Sequence, residues 1–395
     1  PRGRALAARR LAVPGARGVI FPLVAAAVFT LPTLVLAQVV GLVLWLSRRP
    51  QRRYWRVVLW LHAALFPLHL LVTFPAALGY VGSRVLGTRG DERAYEGPRV
   101  DADGRLLVQD RFSLREERAA GGPPVGPAVL QAARARAQFV DSSDGVVVRT
   151  FRIEAPKEPP TAVAVLVHGL FRSAMELEPV AAMLREQGCE CWLVELRNHG
   201  GSSRAPFTGG LCESDDVVAV VEHVRRQPGR QRTPLVLFGV SLGTVAVAYA
   251  LPRLDGIAGV VLDAPIDDLT AAAHRMMTFH RPGDRRSFTY MYEPWRSLVL
   301  ASLGAWSGFD PSDVRPADVL ATLPHDLPVT VVGEGEDDRA PPDSVAALFE
   351  RLPMHQPAKE LVQIPEVGHG TAFVERPAVY EDALRRLLAR LRDPR

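Results

Sequence analysis

The stretch Gly239-Val240-Ser241-Leu242-Gly243 decides the fold of this chain. It follows the apolar run PLVLF at 234–238 and precedes the run TVAVAYA at 244–250, a pattern typical of a buried strand, a tight turn and a helix. In that context G-x-S-x-G forms a strained elbow that exposes the serine hydroxyl at the start of the helix. The glycines let the helix pack close to the strand, where a Cβ would clash. The stretch therefore predicts a nucleophilic serine, Ser241.

Runs of valine and leucine without alternation recur around this elbow, which is typical of parallel strands covered on both faces. They lie at 163–167, 191–195, 235–238, 259–262, 329–332 and 361–364, after an alternating entry strand at 146–151. Helical patterns separate the runs, and at 217–224 valines recur at i, i+3, i+4 and i+7. We predict a mostly parallel, doubly wound α/β sheet in a domain over 130–395, with ligands bound at the carboxyl ends of its strands.

Two further segments surround the predicted sheet. Residues 85–129 are rich in Gly, Arg and Pro and predict a connector, with a short hairpin at 100–112. Residues 267–322 form an aromatic-rich insertion before the strand at 329–332. The insertion fits two interpretations equally: a small helical lid that forms an apolar acyl pocket, or a segment whose aromatic side chains pack only its own core.

The N-terminal part, 1–84, contains two long stretches without a charged residue, at 18–47 and 57–83. Each exceeds the ~20 helical residues that cross the ~30 Å core of a bilayer, and arginines occupy only the flanks. We predict two transmembrane helices and a membrane as partner. A small-residue motif at 35–37 also fits a cleaved signal followed by one anchor, and a monotopic hairpin is a third arrangement. Arginine counting favours cytoplasmic termini, and therefore a cytoplasmic catalytic domain.

Composition excludes several classes of function. The 395 residues carry a net charge of +4, but most of the excess flanks the apolar stretches, and no basic helix marks a nucleic-acid partner. Three cysteines are too few for a disulfide framework and fit a reducing compartment. No histidine has ligand spacing, so we predict no metal and no cofactor. The sequence sets no oligomeric state.

A serine nucleophile needs a base and an orienting acid, which follow it in this fold in the order Ser, Asp or Glu, His. An acidic loop, EGEDD at 334–338, follows the strand at 329–332. His369 lies between two glycines after the last predicted strand. We expect His369 to remove the Ser241 proton, an aspartate to hold the imidazole, and an acyl-enzyme to form before water releases it.

The chain resembles the α/β-hydrolase superfamily, in particular its small-capped serine hydrolases related to monoacylglycerol lipases and the serine-aminopeptidase branch. The elbow, the acidic loop and the late histidine carry the resemblance, together with LVHG at 166–169 and ELRNHGGS at 195–202. It covers the chain from about residue 141 to the C-terminus. It implies that the backbone amides of Leu170 and Leu242 form an oxyanion hole.

The resemblance also selects Asp337 as the acid, because the family's aspartate stands four residues before a proline, here Pro341. Asp338 is a competitor, since the acidic loop is one residue longer than usual, and Asp263 is a third candidate. Glu195 departs from the family, which usually has Asp there.

Three functions fit these residues. The first is a membrane-anchored serine hydrolase that cleaves carboxylic esters of lipids or other small acylated molecules. The second is an amidase or peptidase with the same triad. The third is a non-catalytic membrane scaffold built on a hydrolase fold, and the presence of nucleophile, base and acid candidates argues against it.

Overall fold

A computed structural model describes residues 38–39, 42–43, 46, 51–88, 107–109, 117–119, 137–280, 287–289 and 293–392. The chain divides into two compact units. The first comprises Pro1–Gly79 with Met277–Ser302, and the second comprises Tyr80–Met276 with Leu303–Arg395. The second unit holds the large sheet.

Strands are numbered in chain order within the described residues. They are β1 (Leu107–Gln109), β2 (Glu117–Ala119), β3 (Ala137–Asp141), β4 (Val147–Ile153), β5 (Val163–Val167), β6 (Glu190–Glu195), β7 (Leu235–Val240), β8 (Ile257–Asp263), β9 (Thr278–His280), β10 (Ser287–Thr289), β11 (Val329–Glu334) and β12 (Lys359–Ile364).

Helices are numbered in the same way. They are α1 (Gln51–Leu68), α2 (Phe74–Thr88), α3 (Glu178–Glu186), α4 (Glu213–Arg226), α5 (Leu242–Ala250), α6 (Leu269–Met276), α7 (Trp295–Ser307), α8 (Pro316–Leu320), α9 (Pro342–Arg351), α10 (Ala372–Glu375) and α11 (Pro377–Arg392).

The large sheet has eight strands in the order β12-β11-β8-β7-β5-β6-β4-β3. The pairs from β12 to β6 are parallel, whereas β4 pairs antiparallel with both β6 and β3. All the strands predicted from apolar runs lie in this sheet, so the predicted α/β class is confirmed. The sequence analysis missed β3, because this edge strand buries only Val140 and carries no apolar run.

Apolar side chains cover both faces of the sheet, which explains the lack of alternation in the parallel strands. One cluster lies between the sheet and helices α4, α5, α8 and α9, and it includes the four valines at 217, 220, 221 and 224 that predicted α4. The other lies between the sheet and helices α3 and α11. The central strands β5, β6 and β7 are buried along their whole length.

The carboxyl ends of the central strands lie level with one another. Val167 at the end of β5 pairs with Gly239 of β7, and Val240 pairs with Asp263 at the end of β8. On the other side of β8, Asp263 pairs with Val332 of β11. The loops that leave these strands therefore meet at one edge of the sheet, the edge where α/β proteins bind ligands.

The first unit contains most of a long apolar helix. α1 and α2 are joined by a π-helical turn at His69–Thr73, so the chain stays helical from 51 to 88. Within this unit α7 packs beside it: the Trp295 indole donates to the Leu70 carbonyl at 3.0 Å, and the Ser302 hydroxyl donates to that of Ala76 at 3.3 Å.

Among the described residues one helix, Val58–Arg84, is long and apolar enough to cross a membrane. It coincides with the predicted span at 57–83. The other predicted span, 18–47, lies largely outside the described residues, of which 38–39, 42–43 and 46 are helical. The second transmembrane helix therefore stays a prediction.

The insertion at 267–322 contains α6, the β9–β10 hairpin, α7 and α8. The aromatic side chains at 279, 288, 290 and 292 lie outside the described residues, so the lid stays a prediction. In the connector, β1 pairs with β2, so a hairpin exists there, but its second strand lies beyond the predicted range of 100–112.

Candidate active site

Ser241 lies at a strained turn between β7 and α5. Its backbone has φ 54° and ψ −120°, and its amide donates to the Asp263 carbonyl at 2.9 Å. A Cβ on Gly239 would lie 2.6 Å from the Gly243 carbonyl oxygen, and one on Gly243 would lie 2.3 Å from that of Val167. Both glycines are therefore required for close approach, as the sequence pattern predicted.

His369 lies between Ser241 and Asp337. Its Nε2 is 2.6 Å from the Ser241 Oγ, and its Nδ1 is 2.7 Å from the Asp337 Oδ2. Because a carboxylate only accepts, Nδ1 carries the proton and Nε2 presents a lone pair to the serine hydroxyl. The structure thus brings together the three side chains that the sequence selected. A group that can remove the serine proton is already in hydrogen-bonding contact with it.

The Asp337 carboxylate is held by its own loop. The second carboxylate oxygen of Asp337, Oδ1, accepts the amides of Arg339 at 2.8 Å and Ala340 at 2.9 Å. Burial alone would raise the pKa of Asp337, but the neighbouring His369 and these amides hold it below its usual value. The carboxylate is therefore ionised and oriented toward the imidazole.

The His369 imidazole is neutral near pH 7. Burial lowers the pKa of His369 below 6.5, although the Asp337 carboxylate opposes that shift. Neutral imidazole is the form that accepts a proton, so His369 is in the form that a general base needs.

The other two acid candidates have different surroundings. Asp263 accepts a hydrogen bond from the Tyr380 hydroxyl at 2.6 Å, and burial raises the pKa of this carboxyl to about 7. In the described part of the chain, the ring nitrogens of His369 contact Asp337 and Ser241 rather than Asp263. The contact between the His369 Nδ1 and the Asp337 Oδ2 favours Asp337 over Asp338, and the choice of acid stays a prediction.

Glu334 was not predicted as a site residue. Its carboxylate accepts the backbone amides of three consecutive residues after the histidine: Gly370, Thr371 at 2.9 Å and Ala372 at 2.8 Å. Burial, together with neighbouring Asp263 and Asp337, raises the pKa of Glu334 well above its usual value. The signal available in the sequence was an acidic residue at the end of a buried, largely apolar strand, because a buried carboxylate must find donors.

Glu334, Asp337 and His369 offer ligand atoms within 4.8 Å of one another, so by spacing they could hold a metal ion. Their atoms are already engaged in the hydrogen bonds just described. The cluster fits a hydrogen-bonded catalytic network, and we assign no metal to it.

The two expected oxyanion donors lie next to the serine. Leu242 is the first residue of α5, where amides have no partner within the helix. Leu170 follows Gly169, and a Cβ on that glycine would lie 3.1 Å from the Ser241 Cβ. The loop after β5 therefore passes close to the nucleophile. The role of both amides stays a prediction.

Other polar residues of the two motif turns make structural contacts. Arg197 forms a buried ion pair with Asp216 at 2.7 Å, and Arg172 pairs with Glu176 at 2.9 Å. Glu195 accepts from Arg149 at 2.6 Å and from the Gly201 amide at 2.9 Å. These contacts hold the loops after β5 and β6.

A strained serine elbow, a histidine and an acid at the carboxyl edge of a parallel sheet define the class of α/β hydrolases. The sequence matches the Alpha/beta hydrolase family over residues 164–383, more than half of the chain. The chain therefore belongs to the alpha/beta hydrolase family and is a hydrolase. No curated protein matches the sequence.

Solved structures with a similar fold include the esterase Pf2001 of Pyrococcus furiosus in two crystal forms. One is 17% identical and covers 73% of this chain and 99% of its own, with a TM-score of 0.52. The other is 18% identical and covers 64% and 91%, with a TM-score of 0.51. Est1E from Butyrivibrio proteoclasticus with bound ferulic acid is 16% identical, covers 65% and 98%, and has a TM-score of 0.48. At 17–18% identity the two Pf2001 structures show the fold alone.

Proposed function

We propose that the protein is a membrane-anchored serine hydrolase that cleaves carboxylic esters of lipids or other small acylated molecules. The observation that carries the proposal is the position of His369, which contacts the Ser241 hydroxyl and the Asp337 carboxylate at 2.6 and 2.7 Å. The resemblance to small-capped hydrolases related to monoacylglycerol lipases favours an ester substrate, and Pf2001 is an esterase on the same fold.

The chemistry follows from these contacts. As the Ser241 Oγ attacks the carbonyl carbon, His369 Nε2 takes the hydroxyl proton, and Asp337 stabilises the imidazolium that forms. The negative charge on the carbonyl oxygen is stabilised by the amides of Leu170 and Leu242. His369 then gives its proton to the leaving alkoxide. Water, activated by the same imidazole, releases the acid from the acyl-enzyme.

A fluorophosphonate probe tests the catalytic part of the proposal. The wild-type chain should become labelled and hydrolyse p-nitrophenyl esters, whereas Ser241→Ala should not be labelled and should lose turnover by about 10⁶. Ser344→Ala in α9 is the matched control and should behave as wild type. A folded wild-type chain that neither labels nor hydrolyses any ester would favour the scaffold. Faster turnover of matched amides would favour the amidase.

The membrane part of the proposal is supported by the helix Val58–Arg84. Its 27 residues span about 40 Å, more than the ~30 Å core of a bilayer. It carries strongly exposed apolar side chains, among them Leu59 (66% exposed) and Trp60 (76%). An anchor of this kind would keep the enzyme beside a lipid pool. The arginine count favours a cytoplasmic catalytic domain.

Membrane fractionation tests the anchor. The full chain should stay in the pellet after carbonate washing and be released by detergent. Leu71→Arg should shift protein to the supernatant, because an arginine in the core of a bilayer costs about 3 kcal/mol. Val379→Arg, which replaces an equally exposed apolar residue on α11, is the control and should leave the distribution unchanged. Equal distributions for the two variants would show that this helix is not needed to hold the chain in the membrane.

A further inference from the structure

The Gly169–Leu170 peptide, in the loop after β5, is held by a histidine. The Gly169 carbonyl accepts from the His168 Nδ1 at 2.7 Å and from the Arg172 amide at 3.2 Å. In a trans peptide the C=O and the N–H point in opposite directions. The Leu170 N–H, which belongs to the same peptide, is therefore directed away from His168.

The next peptide is held by a second histidine. The Phe171 amide donates to the His199 Nε2 at 3.1 Å. Phe171 has φ 59°, a left-handed conformation that bulky residues rarely adopt. The turn from Gly169 to Arg172 thus has the positive φ at its third residue that a type II turn requires, a position that favours glycine. Rotation of the Leu170–Phe171 peptide would relieve this conformation, and the bond to His199 opposes that rotation.

His199 can accept this hydrogen bond because its other nitrogen is committed. Nδ1 is 2.9 Å from the Arg197 carbonyl, which only accepts, so Nδ1 carries the proton and Nε2 has the lone pair. Burial lowers the pKa of His199 to about 4, so the ring is neutral near pH 7. Arg197 is itself fixed by Asp216, which accepts its amide at 2.8 Å. These hydrogen bonds therefore hold the His199 Nε2 in a fixed position.

We infer that His199 is a positioning residue for catalysis, whose Nε2 holds the Phe171 amide and so keeps the turn from Gly169 to Arg172, and with it the Leu170 amide, in place beside Ser241. The inference rests on the proposed acyl-transfer function. His199 contacts neither substrate nor Ser241 in this scheme. It acts through the loop, by holding Phe171 at φ 59° and so keeping the turn whose second residue, Leu170, supplies the amide.

Two substitutions test the two ring nitrogens of His199 separately. The amide of His199→Asn reaches only to the place of Nδ1, so it keeps the bond to Arg197 and loses the acceptor for Phe171. The longer side chain of His199→Gln brings an amide oxygen to the place of Nε2 and keeps that acceptor. His355→Asn, at an exposed histidine, is the control for the substitution itself.

We expect His199→Asn to lower kcat about 100-fold with KM within about threefold of wild type, because a donor misplaced by about 1 Å costs about that factor in the transition state alone. His199→Gln should stay within about fivefold. A trifluoromethyl ketone, which forms the tetrahedral oxyanion, should lose affinity for the Asn variant by the factor lost in kcat/KM. Adding Phe171→Gly to the Asn variant should recover at least tenfold of kcat, since glycine adopts positive φ without strain.

Equal losses in the Asn and Gln variants, or a folded Asn variant with wild-type kcat, would overturn the inference. If the Asn variant melts below the assay temperature, the Gln variant decides: retention within about fivefold supports the inference and a 100-fold loss overturns it. A wild-type chain that neither labels with fluorophosphonate nor cleaves esters would instead overturn the proposed function, so the two failures are distinguishable.

Discussion

Asp337→Asn should lower kcat about 10⁴-fold, and the structure explains why an isosteric change is so damaging. The carboxylate Oδ1 of Asp337 accepts the amides of Arg339 and Ala340, while Oδ2 accepts the Nδ1 proton of His369. An asparagine must give its carbonyl oxygen to the two amides, which leaves its NH₂ group facing His369. The imidazole then has to accept at Nδ1 and carry its proton on Nε2, the wrong tautomer for taking a proton from Ser241.

The expected loss corresponds to about 5.5 kcal/mol in the barrier, because each tenfold change is 1.36 kcal/mol. Turnover of p-nitrophenyl butyrate measures kcat, and the rate of fluorophosphonate labelling should fall in parallel. Thermal unfolding should change little, since the side-chain volume and both amide bonds are kept. Asp338→Asn is the matched control and should stay within about threefold of wild type. A larger loss for Asp338→Asn than for Asp337→Asn would refute the choice of acid.

Three further predictions concern the elbow, the base and the buried acid. Gly243→Ala should abolish ester turnover or the yield of folded protein, because its Cβ would lie 2.3 Å from the Val167 carbonyl oxygen. Activity assays and thermal unfolding measure this effect. A fully active variant would contradict the elbow geometry. The fall of kcat/KM at acid pH should have its midpoint below pH 6.5, because burial lowers the pKa of His369. Activity is lost only when this imidazole is protonated. A midpoint above pH 6.5 would contradict the buried environment of His369. Burial raises the pKa of Asp263 to about 7. Between about pH 4 and pH 7 the folded chain therefore keeps a proton on Asp263 that the unfolded chain has released. Because of this difference, the free energy of unfolding falls as the pH rises through that range. Asp263→Asn should not show this loss, which is at most about 4 kcal/mol. The substitution should therefore raise the melting temperature at pH 8 and change it little near pH 4. An equal shift at both pH values would refute the explanation.

The fold was predictable because its central strands are buried on both faces. Runs such as 163–167 and 235–238 have no polar position to confuse with a loop, so they identify the strands directly. The edge strand β3 was missed for the opposite reason, since only one of its five residues is buried. The span at 18–47 stays untested, because most of it lies outside the described residues.

The candidate site was predictable in part. Its residues were found from their order along the chain and the glycines beside them, which need no knowledge of distances. Asp337 and Asp338 are adjacent in sequence, and only geometry shows that the first contacts His369. The roles of Glu334 and His199 could not be assigned, because each binds backbone amides of a loop at least 28 residues away, and the sequence does not show which amides a side chain will meet.

The loops that carry Asp337 and His369 follow neighbouring strands, β11 and β12. The loop that carries Ser241 follows β7, on the other side of β8. The insertion at 267–322 enters between β8 and β11, so it can lengthen, shorten or change its sequence without altering the registers that align the three loops. Natural variation and laboratory evolution can therefore edit this one segment while the reactive groups keep their spacing.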